Sequence, residues 1–261
     1  MVGGVLLDID GVLTVSWEAL PGAVETIAWL RQQDIDFRLV TNTSSKSRRQ
    51  IAHLLDEAGM PIDVGHILTA VTGAARYLGE HHPGARCLVV NEGDGAEDLD
   101  GVERAAAGEA EVVLLGAAGP STGYTELDDV FKRAVDGVAV VALHRNTRYQ
   151  TAQGPALDMG AFIVGLEAAA GVEIPIVGKP SPAFYHAALA ELGVEAGDAV
   201  MVGDDIGSDV LGAQAAGLTG ALVRTGKFRP SDLEGGGDQP DHVIDGIGQL
   251  PDLLQRVADH G

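Results

Sequence analysis

The chain of 261 residues has a single cysteine, few aromatics (4%) and only 17 basic residues against 38 acidic ones, a net charge of −21. One cysteine excludes an internal disulfide. Cys87 lies in Arg86-Cys87-Leu88-Val89-Val90, which reads as a buried strand and not as the setting of a reactive thiol. The shortage of bases argues against a nucleic-acid or anionic-membrane partner, either of which needs a basic face. It also means that an anionic substrate is repelled at long range, so a site for one must supply its own positive charge. The excess acid otherwise serves solubility. No apolar run approaches the ~20 residues that span a bilayer, and Asp8 interrupts the first apolar run too early for a signal peptide. A cytoplasmic protein is expected, in which the Asn42-Thr43-Ser44 sequon is accidental.

What the chain does have is alternation. Apolar runs at 2–7, 37–40, 87–90, 112–115, 138–143, 174–177, 199–202 and 221–223 are separated by amphipathic segments at 21–33, 45–58, 71–82, 124–136, 159–171, 180–192 and 207–217. Strands alternating with helices of this length predict an α/β fold with a Rossmann-like parallel sheet. Several runs are continuous, as expected of strands buried on both faces. The acids that follow strands are concentrated in the two ends of the chain. The expected division is therefore a core domain over 1–66 and 176–261, with 67–175 inserted as a smaller α/β cap domain. Gly235-Gly236-Gly237 is expected as a flexible loop before a last strand at 242–244.

Four strand ends carry polar residues of complementary type. The first closes with Asp8-Ile9-Asp10-Gly11, two acids spaced i, i+2. On a strand such residues share a face, and two like charges held together call for a cation, a retained proton, or both. The second end is Thr41-Asn42-Thr43-Ser44, a hydroxyl and amide cluster at the start of a helix, suited to phosphate oxygens. The third, expected after a strand at 174–177, is Gly178-Lys179-Pro180. The fourth is Gly203-Asp204-Asp205-Ile206-Gly207-Ser208-Asp209. Each alone has a plainer reading as a cap, turn or loop; four in this order converge on one sheet edge. Together they form an oxygen-rich site suited to Mg²⁺, with Lys179 as a compact positive charge. Asp8 could then attack phosphorus as a carboxylate nucleophile, and Asp10 could protonate the leaving group and later activate water.

Asp-Ile-Asp-Gly-Val-Leu, Val-Thr-Asn-Thr-Ser, Val-Gly-Lys-Pro-Ser-Pro and Val-Gly-Asp-Asp-Ile-Gly-Ser-Asp-Val resemble the four motifs of the haloacid dehalogenase-like phosphohydrolases. The insertion between the second and third resembles the large α/β cap (class IIA) subgroup that includes the nitrophenylphosphatase-like enzymes. The loop Arg224-Thr225-Gly226-Lys227-Phe228-Arg229-Pro230, with the third and fourth motifs, is similar to the phospholysine phosphohistidine inorganic pyrophosphate phosphatases. The resemblance implies that Asp8 is the nucleophile and a Mg²⁺ ligand. Asp10 is implied as general acid/base, with its backbone carbonyl on the metal, and Asp204 as a further metal ligand. Thr41 and Asn42 would hold the phosphoryl group and Lys179 would neutralise it. Asp205 and Asp209 are implied as outer groups that orient metal waters or Lys179, with the choice between them open.

The implied reaction is Mg²⁺-dependent hydrolysis of a small phosphorylated metabolite through an aspartyl phosphate, with pyrophosphate or N-phosphate hydrolysis as the main variant. A non-catalytic phospho-ligand-binding protein of the same fold is the alternative from another class, against which the intact Asp8, Asp10, Lys179 and Asp204 set speaks. A nucleotide-cofactor site is not supported, since no Gly-x-Gly-x-x-Gly follows a strand. In the cap, Arg145, Asn146 and Arg148 are the candidates for a second anionic group, with a solvated loop tip as the competing reading. The expected partners are a small phosphorylated substrate and, for assembly, a second copy in a homodimer.

Overall fold

The computed structural model describes residues 2–151, 154–234 and 237–260; Gly235 and Gly236 of the expected glycine loop lie outside them. The chain divides into two compact units, one of Met1–Thr41, Arg49–Leu68 and Lys179–Gly261, the other of Asn42–Arg48 and Thr69–Gly178. Asn42–Arg48, expected with the first unit, thus clusters with the second.

The first unit is built on a six-stranded sheet. From edge to edge its strands are His242–Ile244, Thr219–Val223, Ala199–Gly203, Gly4–Leu7, Phe37–Thr41 and Ile67–Thr69. Gly4–Leu7 pairs parallel with Ala199–Gly203 on one side and Phe37–Thr41 on the other, and the sheet continues parallel from Ala199–Gly203 to His242–Ile244. The continuous apolar runs are explained by burial on both faces. Val5, Leu7, Val200 and Val202 pack in one core with the helices Ala23–Gln32 and Leu250–His260. Their neighbours Leu6, Ala199 and Met201 pack in a second core with the helix Pro182–Leu192. Each fully buried Leu or Val contributes about 1.5–3 kcal/mol relative to an exposed one, so the strands cannot slip by one residue without exchanging two cores.

The second unit repeats the plan on a smaller scale. Cys87–Val90, Val112–Leu115 and Ala139–Ala142 form a parallel three-stranded sheet. Val112 and Leu114 face a core shared with the helix Ala70–His81, while Val113 and Leu115 face the helices Tyr124–Val135 and Met159–Ala170. Cys87 is sealed in this sheet, and burial pushes its thiol up to about 11, consistent with an inert core residue.

One expected strand is absent. Residues 174–177 make only an isolated bridge, Ile176 to Ala142, with Ala142 N–H donating to Pro175 O and Val177 N–H donating to Ala142 O. Pro175 has no N–H to offer a ladder, so the segment runs as irregular edge chain. Lys179 therefore follows this segment and not a strand of the main sheet.

Candidate active site

The first unit's sheet changes direction at its centre. From Gly4–Leu7 the chain moves to Phe37–Thr41 on one side, and the returning chain lays Ala199–Gly203 on the other. In parallel sheets the carboxyl edge at such a switch point is the natural ligand crevice. Register Leu7↔Val202 brings both strands to this edge together, and Asp8 N–H donates to Val202 O at 3.0 Å. Asp8 and Asp204 are the first residues beyond the two ends, and both are buried.

Carboxylate oxygens of Asp8, Asp204 and Asp209 lie within 4.8 Å of one another. Lys179 Nζ reaches into the group, 2.6 Å from Asp8 Oδ1, 2.8 Å from Asp209 Oδ1 and 3.0 Å from Val40 O. Burial alone would lower the Lys179 ammonium, but Asp209 and Asp8 outweigh it and hold the group charged far beyond its ordinary range. Burial would likewise raise Asp209, yet Lys179 and Lys227 keep it below the usual carboxylate value. One lysine cannot satisfy three acids. Burial pushes Asp8 up to about 6, with Lys179 opposing and Asp209 reinforcing; burial and the neighbouring Asp8 push Asp204 up to about 8.

The surroundings of Asp204 separate its two oxygens. Oδ2 accepts from Lys227 N–H at 2.7 Å. It lies so close to Gly11 and Gly226 that a Cβ on either would stand 2.0 Å away, and both glycines have positive φ, +88° and +60°. Thr225 Oγ1 donates to Gly11 O at 2.6 Å and ties the two loops together. Oδ1, by contrast, is buried with no hydrogen-bond partner. An orphaned carboxylate oxygen beside two further buried acids is costly unless a cation takes it. The donor set is all oxygen, which fits a hard divalent metal.

The remaining expected residues fall as follows. Thr41 is buried as the last residue of its strand. Asp10 is exposed, three residues past the strand end, where partial loss of water raises its carboxyl despite Lys227. Of the two outer acids, Asp209 contacts Lys179, whereas Asp205 Oδ1 accepts from Gly207 and Ser208 N–H and caps the helical turn Ile206–Leu211. Gly203 makes room for this arrangement, since a Cβ there would lie 2.1 Å from Asp209 Cβ.

Asn42, Arg145, Asn146 and Arg148 belong to the second unit. There Arg145 is committed to Glu167, with one Nη1–Oε1 contact at 3.0 Å and a second, shorter one. Lys227 is the residue that sequence reasoning missed. Its Nζ lies 4.0 Å from Asp204 Oδ1 and 3.9 Å from Asp205 Oδ2, and the acids around it hold its ammonium above the ordinary value against burial. The available signal was the Thr-Gly-Lys loop directly after the strand Thr219–Val223.

Comparison with known proteins agrees with this chemistry. A family model described as haloacid dehalogenase-like hydrolase matches residues 5–104, and a second, HAD-hydrolase-like, matches 176–250. The chain is 36% identical to the phospholysine phosphohistidine inorganic pyrophosphate phosphatase of Rattus norvegicus over 265 residues, covering 99% of this chain and 96% of the relative. It is 36% identical over 230 residues to the human haloacid dehalogenase-like hydrolase domain-containing protein 2, covering 88% and 87% of the two chains. Among solved structures, the p-nitrophenyl phosphatase from Archaeoglobus fulgidus superposes with a TM-score of 0.90 at 28% identity, covering 97% of this chain and 99% of that one. Along essentially its whole length, the chain belongs to the haloacid dehalogenase-like hydrolases, among their phosphatases.

Proposed function

We propose that the chain is a Mg²⁺-dependent phosphatase that hydrolyses a small phosphorylated metabolite through an aspartyl phosphate on Asp8. The observation that carries this reading is Asp204 Oδ1, buried beside Asp8 with no hydrogen-bond partner and with Lys227 Nζ no nearer than 4.0 Å, while Asp8 is held by the Lys179 ammonium. Asp8, Asp204 and the backbone carbonyl of Asp10 are the proposed ligands. Mg²⁺, when bound, would offset the charge of the phosphoryl oxygens and let an anion approach this acidic chain. Asp8 attacks phosphorus and forms the P–O bond as the leaving oxygen departs. Asp10, whose carboxyl is raised by partial loss of water against the opposing Lys227, donates a proton to that oxygen and then takes one from the water that cleaves the aspartyl phosphate. Thr41 and Asn42 hold the phosphoryl oxygens, and Lys179 neutralises them while keeping Asp8 aligned.

In this reading, 1–66 and 176–261 supply the chemistry and 67–175 the substrate specificity. Arg145, Asn146 and Arg148 remain the proposed substrate contacts, although the Glu167 pairing makes Arg145 the least available. A second reading, hydrolysis of pyrophosphate or an N-phosphate, is favoured by the name of the rat relative and by Lys227, a further cation for a second phosphate. Among the described residues no helix is long and apolar enough to cross a membrane; with the net charge of −21 this supports a cytoplasmic enzyme without nucleic-acid or membrane partners. The test is turnover of p-nitrophenyl phosphate and of a metabolite panel including pyrophosphate, phospholysine and phosphohistidine, with EDTA and with Mg²⁺. Mg²⁺-restored turnover is expected; turnover indifferent to EDTA contradicts the reading.

A further inference from the structure

Lys179 and the turn that carries Asp209 meet across one seam of the first unit, and a tyrosine crosses the same seam. The helix Pro182–Leu192 begins three residues after Lys179 and carries Tyr185. Asp209 belongs to the π-helical turn Ile206–Leu211, which follows the strand Ala199–Gly203. Such turns are less regular than an α-helix, and here Gly212 N–H is shared between Gly207 O and Asp209 O. The Tyr185 hydroxyl adds a donor to this turn. It donates to Asp209 O at 3.0 Å and makes a shorter contact with Ser208 O.

Filling the core does not require that hydroxyl. Tyr185 is fully buried in the core formed with Leu6, Val40, Met201 and Leu218, edge-on to Phe184 with 6.1 Å between ring centres. A phenylalanine would fill the same space, and a buried hydroxyl is costly unless it finds a partner. The partner found is the backbone of the residue whose side chain holds Lys179.

The seam therefore has two braces. At the side-chain level, Asp209 Oδ1 accepts from Lys179 Nζ at 2.8 Å, and Lys179 in turn donates to Asp8 Oδ1 at 2.6 Å. At the backbone level, Tyr185, six residues beyond Lys179, grips the Asp209 carbonyl. Gly212 lets the two sides close, since a Cβ there would stand 2.7 Å from Pro180 Cβ and 3.3 Å from Tyr185 Cε2. The amino end of the turn is fixed from within, by Asp205 Oδ1 on Gly207 and Ser208 N–H and by Asp209 Oδ2, which accepts from Asp205 N–H at 3.2 Å. Tyr185 ties the turn to the segment that bears Lys179.

We propose that Tyr185 is a positioning residue for the reaction: its hydroxyl holds the turn where Asp209 keeps the Lys179 ammonium on Asp8. The inference rests on the nucleophile role proposed for Asp8. Tyr185 acts through two side chains, Asp209 and Lys179, and an error at the first passes along two short contacts to the attacking oxygen. Misplacing a reacting group by about 1 Å costs on the order of a hundredfold in rate; loosening one hydroxyl contact is expected to cost a fraction of that.

The test is Tyr185→Phe in the full chain, assayed with p-nitrophenyl phosphate and Mg²⁺. We expect kcat to fall by about three- to tenfold with KM within about twofold, because the alignment of Asp8 matters to the attack and not to substrate binding. In an Asp209→Asn background the same change should cost nothing further, since no ion pair is left to aim. A wild-type kcat in Tyr185→Phe, a loss carried as much by KM as by kcat, or the full loss repeated in the Asp209→Asn background overturns the inference and leaves the phosphatase reading intact. Wild-type turnover in Lys179→Met overturns both the role of the lysine and the inference built on it. Gly212→Ala is the second variant, should either of the first two fail to fold. The Gly212 backbone is right-handed helical (φ −61°, ψ −42°), so the added methyl brings no backbone strain and acts by pressing on Pro180 across the seam. It too should lower kcat and spare KM; a wild-type kcat in Gly212→Ala equally overturns the inference.

Discussion

Asp209 holds Lys179 at 2.8 Å, with both side chains sealed from water. This pair completes its charge balance inside the fold, so the Lys179 contact with Asp8 at 2.6 Å aligns the acid without supplying a full counter-charge. Asp8 and Asp204 are left together, short of positive charge, at the sheet edge. Lys179 is shared by Asp8 and Asp209 and Lys227 Nζ stands no nearer than 4.0 Å to Asp204 Oδ1, an arrangement of acids suited to a cation.

Removing the lysine should expose that balance. Lys179→Met leaves Asp8 and Asp209 buried without their ammonium, and breaking a buried pair from one side costs about 3–5 kcal/mol. Denaturant unfolding at pH 7 should show a loss of this size together with loss of turnover. The stability gap should narrow as the pH falls and the abandoned acids protonate. A variant with wild-type stability at pH 7 would show that the buried network is less tightly coupled than its distances imply.

The raised carboxyls make a second prediction, for which the sign matters. Asp8 at about 6 and Asp204 at about 8 bind protons in the folded state that the unfolded chain has released above roughly pH 4. The metal-free fold therefore loses stability as pH rises from about 4 to about 8. Asp209, held low, acts in the opposite sense, but only at acid pH, where its contribution is lost as it protonates. Thermal melts in EDTA should show a lower Tm at pH 8 than at pH 5.5, and Mg²⁺ should raise Tm more at pH 8, where protons compete with it less. A Tm gain from Mg²⁺ that is the same at both values would argue against binding by these acids.

Gly226→Ala separates the cradle around Asp204 from general backbone strain. An αL alanine costs on the order of 1–3 kcal/mol, and here its Cβ would also press on Asp204 Oδ2. Gly137→Ala carries the first penalty alone, because Gly137 has φ +81° and nothing within 4 Å of the added Cβ. Both variants should lose stability, while only Gly226→Ala should weaken Mg²⁺ affinity, by about tenfold or more. Equal Mg²⁺ affinity in the two would remove the cradle from the account.

Much of this was legible in the chain because burial on both sides of a sheet forces a continuous apolar run. Cys87–Val90, Val112–Leu115 and His242–Ile244 have the expected limits. The failures have physical causes. Residues 174–177 read as a strand by composition, but Pro175 denies the ladder a donor. Ile67–Thr69 is too short to show a period, and the helix Leu250–His260, with its buried Leu250, Leu253 and Leu254, was not anticipated. Asp8, Lys179 and Asp204 could be picked out because acids and a lysine beside glycine at apolar-run ends are chemically conspicuous. Lys227 follows an apolar run in the same way but was not singled out, because its nearness to Asp204 depends on how two glycines let the loops meet. The attachment of Asn42–Arg48 to the second unit was equally hidden: it rests on an asparagine and a histidine more than 45 residues away.

The most direct test of the mechanism is to acid-quench the enzyme during turnover with Mg²⁺ and analyse its peptides by mass spectrometry. A hydroxylamine-sensitive phosphoryl group on the peptide bearing Asp8 is predicted, absent from Asp8→Asn, whose turnover should fall by a factor on the order of a thousand or more while its fold persists. Wild-type turnover in Asp8→Asn, or a phosphoryl group trapped on any other residue, would contradict the assignment of Asp8 as the nucleophile.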